Sequence, residues 1–344
     1  MPSKMAEGAK MTRQWIVGIT HEAKDLGRFF APEDLAQLHA AATVRVLGKC
    51  KESSFRSQLA ELDVLLGSWG MPRLDADFLA AAPRLQAVCY AAGTVKGFVT
   101  DESYARGIQI TTAMHANAIP VAEVTVALII LANKNWFTCQ DRIRREGVEG
   151  RNACFQDHHR GNYGATVGLV GFGAIGREVC ARLQHYHLQV LVADPYAQAE
   201  VVAAAGARLV SLEALAASSD VVSLHAPNIP QTRHMMNRDV FARMRDGATF
   251  INTARGALVD EDALLAELQS GRIQAMLDVT DPEPVPAGHP FYSLPNCWLT
   301  PHRAGSSADE IRRMGHYAIA EVLRLIRGEA LLYPVNQDML ATMA

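Results

Sequence analysis

Residues 166–176 read TVGLVGFGAIG: a β-branched run that breaks into Gly171-x-Gly173-x-x-Gly176, with Ile175, Val179 and Leu183 following at helical spacing. Strand, glycine turn and helix in that order open a parallel βαβ unit. The first glycine permits the tight turn, the second lets the backbone approach a pyrophosphate closely, and the third allows helix and strand to touch. The helix N-terminus offers free N–H groups and its positive dipole end to the phosphates. The next strand candidate, Gln189–Ala193, ends at Asp194. That is about 20 residues past the turn, where a carboxylate accepts bonds from the adenosine ribose hydroxyls. A carboxylate also repels a 2′-phosphate, so the pattern predicts an NAD site rather than an NADP site. The simpler uses of these residues are a plain tight turn and, for Asp194, a turn position before Pro195.

The rest of the chain has the rhythm such a unit needs, short β-branched runs alternating with helical patterns. In the first third the strand candidates are Trp15–Thr20, Val44–Gly48, Asp63–Gly67, Leu85–Ala91 and Ile108–Thr112, with Pro32–Ala41 and Phe55–Leu62 as amphipathic segments between them. They read as one parallel sheet. Val121–Asn133 is a strongly apolar helix, and Phe137–Gly164, rich in Arg, Gly and His, fits neither pattern. A second series, Thr166–Val170, Gln189–Ala193, Ala207–Val210, Val221–Leu224, Ala248–Ile251, Ile273–Leu277 and Trp298–Thr300, reads as a larger doubly wound sheet. Ser307 and Glu310 form a capping box for a helix through Arg327, with Ile311, Met314, Ala318, Val322 and Leu325 on its apolar face. At 344 residues and 49% hydrophobic, the chain has material for two cores.

Composition removes other classes. A net charge of −3 supplies no broad basic field, so nucleic acid is not an expected partner. The six cysteines, Cys50, Cys89, Cys139, Cys154, Cys180 and Cys297, form no C-x-x-C pair and fit free thiols in a reducing compartment. Met1–Arg13 has no apolar core behind it, unlike a signal peptide. The longest apolar stretch, Val124–Ala132, is nine residues, too short for a bilayer. A cytoplasmic protein with no membrane partner is expected. The histidines show no metal-ligand spacing, His158-His159 reads as an exposed loop, and no metal is expected.

In an open parallel sheet, ligands bind beyond the carboxyl ends of the strands. Val221–Leu224 ends at His225-Ala226-Pro227, and Ala248–Ile251 at Asn252-Thr253-Ala254-Arg255-Gly256. Ile273–Leu277 ends at Asp278 with Glu283 beyond it, and Trp298–Thr300 at Pro301-His302. Arg255 can hold a carboxylate in bidentate fashion. A histidine beside a carboxylate can act as general acid toward a carbonyl oxygen. Next to a nicotinamide, that set suits hydride transfer between a 2-oxo acid and a 2-hydroxy acid.

With these segments the chain resembles the D-isomer-specific 2-hydroxyacid dehydrogenase family, which includes glycerate, 3-phosphoglycerate, D-lactate and formate dehydrogenases. The resemblance runs from Asp63 to Asn336 and rests on TVGLVGFGAIG, LHAPNIPQTRHMMN, INTARGALVDEDAL, LDVTDPEP and TPHRAG. It implies an α/β protein of two doubly wound parallel-sheet domains with a cleft between them. Residues 120–304 would be a Rossmann-type NAD-binding domain; 1–119 and 305–344 would form a discontinuous, flavodoxin-like substrate domain. Arg255 would bind the substrate carboxylate, His302 would be the acid–base and Glu283 its partner. Asp278 would contact the nicotinamide carboxamide, and Ala174 and Ile175 would present N–H groups to the pyrophosphate. Asp194 would take the ribose, and Ala226, Pro227, Thr232, Thr253 and Ala254 would line the cofactor site, which Arg255 and His302 border. A homodimer through the nucleotide-binding domain is also implied.

Several positions depart from the family pattern. The N-terminal substrate loop reads Ala92-Gly93-Thr94-Val95-Lys96-Gly97, with Val95 where a second glycine is usual and Lys96 adding a charge. Val95, Lys96 and Trp69 are the candidate substrate-binding residues beside Arg255. Thr280 replaces a common aromatic, Arg303 an apolar residue and Ala304 a glycine. A cation at Lys96 or Arg303 would suit a phosphorylated or dicarboxylic substrate; a solvated surface charge is the plainer use of either. Two other functions stay open: an NAD-sensing interaction protein on the same fold, and a formate- or phosphite-type dehydrogenase.

Overall fold

The computed structural model describes residues 14–50, 54–156 and 161–343. The first thirteen residues, read above for a leader, and His158-His159 lie outside the described residues.

Two parallel sheets organise the described residues. The first holds β1 (Ile16–Ile19), β2 (Thr43–Val46), β3 (Val64–Gly67), β4 (Ala87–Tyr90) and β5 (Gln109–Thr112). The second holds β6 (Thr166–Val170), β7 (Gln189–Ala193), β8 (Arg208–Leu209), β9 (Val221–Leu224), β10 (Thr249–Asn252), β11 (Gln274–Leu277) and β12 (Cys297–Leu299). The orders are β2-β1-β3-β4-β5 and β12-β11-β10-β9-β6-β7-β8. The first is the flavodoxin order, and the second is the Rossmann order extended by one strand.

Both faces of the larger sheet are covered, which is why its strands are continuously apolar. In β6, Val167 and Leu169 pack with Val190, Val192 and Met276 on one face. Val170 packs with Leu191, Leu224 and Phe250 on the other. The helix Met114–Asn133 covers the first face through Ala122, Val126, Ile129 and Ala132. By length and composition this helix could cross a membrane, so the nine-residue limit read from the sequence was too short. The apolar run was counted from Val124, after Glu123. Pro120 removes a single backbone hydrogen bond, and the helix continues through it.

That helix also moves the domain boundary. The described chain divides into one unit up to Ala113 with Ile311–Gln337, and a second of Met114–Glu310 with the residues from Asp338 onward. The expected breaks were 119/120 and 304/305, with the whole C-terminal segment in the first unit. Residues 114–119 are the first turns of a continuous helix and cannot leave it. Residues 305–310 stay with them because Ser306 N–H donates to Asn117 Oδ1 at 2.9 Å. The helix Ile311–Arg327 belongs to the smaller unit and buries Ile311, Met314, Ala318 and Val322. It follows a 3₁₀ turn at Ala308–Glu310, in which the Glu310 carboxylate accepts the Ser307 N–H at 2.9 Å.

Phe137–Gly164, unassigned from sequence, contains most of the helix Trp136–Glu146 and all of Val148–Gln156.

Candidate functional site

The glycine turn is built as its sequence demands. Gly171 has φ +99° and a Cβ on it would lie 2.7 Å from Ala226 N, so the turn passes directly over the end of β9. A Cβ on Gly176 would overlap the carbonyl oxygen of Gly171. Around Gly173 no protein atom lies within 4 Å of a Cβ position. Gly173 is also the N-cap of the helix Ala174–Leu183, with no side chain capping it. The first-turn N–H groups, those of Ala174 and Ile175 among them, therefore border a cradle with room for a phosphate. The residues fit a dinucleotide.

Asp194 does more than close β7. Its Oδ2 accepts the N–H of Phe172, inside the glycine turn, at 2.7 Å, and its Oδ1 accepts that of Tyr196 at 2.8 Å. The turn role is therefore real, and each oxygen keeps a lone pair for another donor. Thr232 folds its own loop, its hydroxyl donating to Pro227 O at 2.6 Å. The Thr253 hydroxyl pairs with that of Thr125 on the long helix at 3.0 Å. Ala226 and Ala254 are buried beside them.

At the end of β10, Asn252 locks the next turn: its Oδ1 accepts Ala254 N–H and its Nδ2 donates to Arg255 O, both at 3.0 Å. Arg255 is half-buried and donates through Nη1 to the Ala254 carbonyl at 2.6 Å. No carboxylate among the described residues pairs with it. A Cβ on Gly256 would overlap the Thr280 carbonyl, so this turn lies against the loop that follows β11. Glu261 ties the two together, its Oε1 accepting the Asp281 N–H at 2.8 Å. Burial pushes the Glu261 carboxyl up to about 7, with Asp281 and Asp262 adding to the rise.

Asp278 is buried and spends its carboxylate on the loop that carries His302. Oδ1 accepts Arg303 N–H at 2.8 Å and the Thr300 hydroxyl at 2.5 Å, and Oδ2 accepts Ala304 N–H at 2.9 Å. These bonds hold His302 at φ +53°, a conformation costing a non-glycine residue about 1 kcal/mol or more. The side chain so placed meets Glu283: Nδ1 to Oε1 is 2.8 Å. No described protein atom bonds its Nε2. The larger unit thus brings together Arg255, Glu283, His302, Asp278 and the glycine turn on the carboxyl edge of one sheet.

The smaller unit carries the other candidates on its own carboxyl edge. Val95 is fully buried. Lys96 is exposed, its ammonium held below the usual lysine range by desolvation. Trp69 is 52% exposed. In the larger unit, Arg303 is exposed, and Thr280 is buried with its hydroxyl on Pro282 O at 2.9 Å.

Three residues went unassigned in the sequence. His225, at the end of β9, is buried, meets Ser223 Oγ at 3.0 Å and has an unpartnered Nδ1. Burial pushes it down to about 3. His21, at the end of β1, meets Ser68 Oγ at 3.0 Å and is pushed down to about 4 by burial. Glu261 was visible only as one letter of INTARGALVDEDAL. Position at a strand end was the available signal for both histidines.

Comparison with known proteins adds an independent line. Residues 126–304 match the family described as D-isomer specific 2-hydroxyacid dehydrogenase, NAD binding domain. A D-3-phosphoglycerate dehydrogenase from Methanocaldococcus jannaschii is 30% identical over 313 residues, 87% of this chain and 56% of that protein. A glyoxylate reductase from Korarchaeum cryptofilum is 33% identical over 77% of this chain and 80% of its own length. The apo structure of D-mandelate dehydrogenase from Rhodotorula graminis superposes with a TM-score of 0.81 over 94% of this chain and 98% of that one; at 23% identity the likeness is one of fold. The chain spans a little over half the length of the phosphoglycerate dehydrogenases it matches. On the family match and these relatives together, the chain belongs to the D-isomer specific 2-hydroxyacid dehydrogenase family.

Proposed function

We propose that the protein interconverts a small D-2-hydroxy acid and its 2-oxo acid with NAD as cofactor. One observation carries this reading: His302 Nδ1 lies 2.8 Å from Glu283 Oε1, on the sheet edge that also presents Arg255 and the glycine turn. The names of its relatives, D-3-phosphoglycerate dehydrogenase and glyoxylate reductase, belong to the same reaction class.

When bound, the nicotinamide supplies or accepts the hydride at the carbonyl carbon. Everything else falls to side chains and backbone. Arg255 donates paired N–H bonds to the substrate carboxylate, which fixes the carbonyl beside it. His302 gives a proton from Nε2 to the carbonyl oxygen during reduction and takes it back during oxidation, while Glu283 holds the ring through Nδ1. Asp278 keeps the His302 backbone in its left-handed conformation. Ala174 and Ile175 offer N–H groups to the pyrophosphate, and Asp194 accepts from the ribose.

The larger unit serves as the nucleotide-binding domain and the smaller one as the substrate domain. A homodimer forms through the helices Trp136–Glu146 and Val148–Gln156, where Trp136, Val148 and Phe155 stand exposed, because apolar patches of this kind mark protein contacts. The compartment is a reducing, cytoplasmic one. Cys89 and Cys297, pushed up to about 12 by burial, suit it as inert core thiols.

The test is NADH oxidation with a panel of 2-oxo acids. His302→Ala should lower kcat about a hundredfold or more while NADH affinity stays close to that of the parent. Turnover at the parent rate would overturn the assignment. NADH binding with no turnover of any acid would favour a nucleotide sensor, and a clear preference for NADPH would overturn the role given to Asp194.

A further inference from the structure

Within the larger unit, the turn that carries Arg255 lies against the loop that carries Glu283. Past Arg255 the chain makes a 3₁₀ turn at Gly256–Leu258 and enters the helix Glu261–Gln269. The start of that helix is fixed. Asp260 N–H donates to Met236 O at 3.0 Å, and Asp260 Oδ1 caps the helix by accepting Ala263 N–H at 3.1 Å. Leu258 and Val259 are buried just before it. Glu261 therefore stands on a fixed base, and its side chain reaches out to the neighbouring loop.

The Glu283 loop is held mainly at its ends. Asp278 N–H donates to Asn252 O at 2.9 Å, and the Tyr292 hydroxyl donates to Val285 O at 3.0 Å. Between Val279 and Pro284, the Thr280 hydroxyl bonds inside the loop, to Pro282 O. Among the described residues, Glu261 is the one side chain from outside that bonds this stretch of backbone, taking the Asp281 N–H at 2.8 Å. Glu283 stands just beyond, and its carboxylate holds the His302 ring. A shift at Asp281 is thus passed to the imidazole.

The charges around Glu261 are negative. Asp262 stands beside it on the helix, and Asp281 faces it from the loop. Glu261 in turn adds to the rise of the Cys297 thiol on β12. Arg233 lies 3.8 Å from Asp281 Oδ2, and no described lysine, arginine or histidine pairs with Glu261. Half-burial first, and then these carboxylates, place its carboxyl at about 7. Its charge therefore changes across neutral pH. A hydrogen bond to an ionised acceptor is about twice as strong as one to a neutral acceptor.

We propose that Glu261 is a positioning residue for the proton-transfer pair: its ionised carboxylate fastens the Glu283 loop to the Arg255 turn, and turnover gains as that carboxylate loses its proton. The proposal rests on the dehydrogenase reading above. Glu261 acts through the Asp281 backbone on Glu283, and through Glu283 on His302. The loop has a neutral acceptor when Glu261 is protonated and a charged one when it is not, so the gain enters as pH rises.

The experiment follows kcat for NADH-dependent reduction of glyoxylate, pyruvate and phenylpyruvate in the parent and in Glu261→Gln. It spans about two pH units on either side of the Glu261 value of about 7. The amide keeps an oxygen for the Asp281 N–H and stays uncharged, so it stands in for the protonated state at every pH. Other titrating groups, His302 included, are common to both proteins, and the ratio of parent to variant kcat isolates Glu261. That ratio should rise about fivefold with pH, the difference between a charged and a neutral acceptor, while KM for NADH stays near the parent value. Asp281→Asn is an exposed change that keeps the backbone bond. It should move the rising limb of kcat to lower pH, because one charge that holds the Glu261 proton is gone. A ratio that stays flat or falls, or a limb that Asp281→Asn leaves in place, would overturn this inference and leave the dehydrogenase reading standing. Absence of turnover with every acid would overturn both.

Discussion

Arg255, Glu283 and His302 were readable as single residues because each stands just past an apolar run, and the edge of a parallel sheet is where such positions converge. What each neighbour does was not readable. Asp278 holds a loop rather than only facing a ligand, because partners far apart in sequence decide it. The two buried histidines show the same limit. His225 in one unit and His21 in the other each follow a strand at a switch point, and each meets a serine. Their burial predicts acid sensitivity. His225 stays neutral in the fold down to about pH 3, whereas the unfolded chain takes up that proton below its ordinary value of 6.5. Its contribution is therefore full above pH 6.5 and falls as pH drops toward 3, by up to about 1.4 kcal/mol per pH unit. His225→Gln should flatten the decline of Tm with acidification; an unchanged slope in thermal melts would remove His225 from the account.

Among the elements, the strands announced themselves and the helices less so. Each expected strand is present within two residues of its expected bounds, since a strand covered on both faces must be apolar throughout. Phe55–Leu62, by contrast, has helical spacing and forms only a 3₁₀ turn at Arg56–Gln58. Its Phe55, Leu59 and Leu62 are buried all the same; the contacts were legible and the backbone that makes them was not. The glycine turn lets function and stability be separated within one element. No protein atom lies within 4 Å of a Cβ at Gly173, and one at Gly176 would overlap Gly171 O. Gly173→Ala should therefore keep the parent Tm yet weaken NADH binding about tenfold or more, as a methyl group enters the cradle. Gly176→Val should lower both, because the helix must shift off the strand. Equal NADH affinity in Gly173→Ala, by fluorescence titration, would show that the phosphates lie elsewhere.

At the scale of the whole molecule, the helices Trp136–Glu146 and Val148–Gln156 make the sharpest prediction. Phe155 is 85% exposed and Val148 68%, on a segment that fitted neither pattern in the sequence. If a second copy covers them, Phe155→Glu should shift the mass in solution from dimer to monomer while leaving the Tm of each unit near the parent value. Light scattering that reports the same mass for both proteins would place the contact elsewhere. The sequence by itself determined the two sheets, the dinucleotide turn and the three residues proposed for chemistry, because local periodicity and strand-end position do not depend on distant partners. Only the tertiary structure decided where the units divide, that Asp278 holds the His302 loop, and that His21, Phe29 and Trp69 form one aromatic row. Each of those depends on strand order, and strand order brings together segments whose spacing along the chain says nothing of their distance in space.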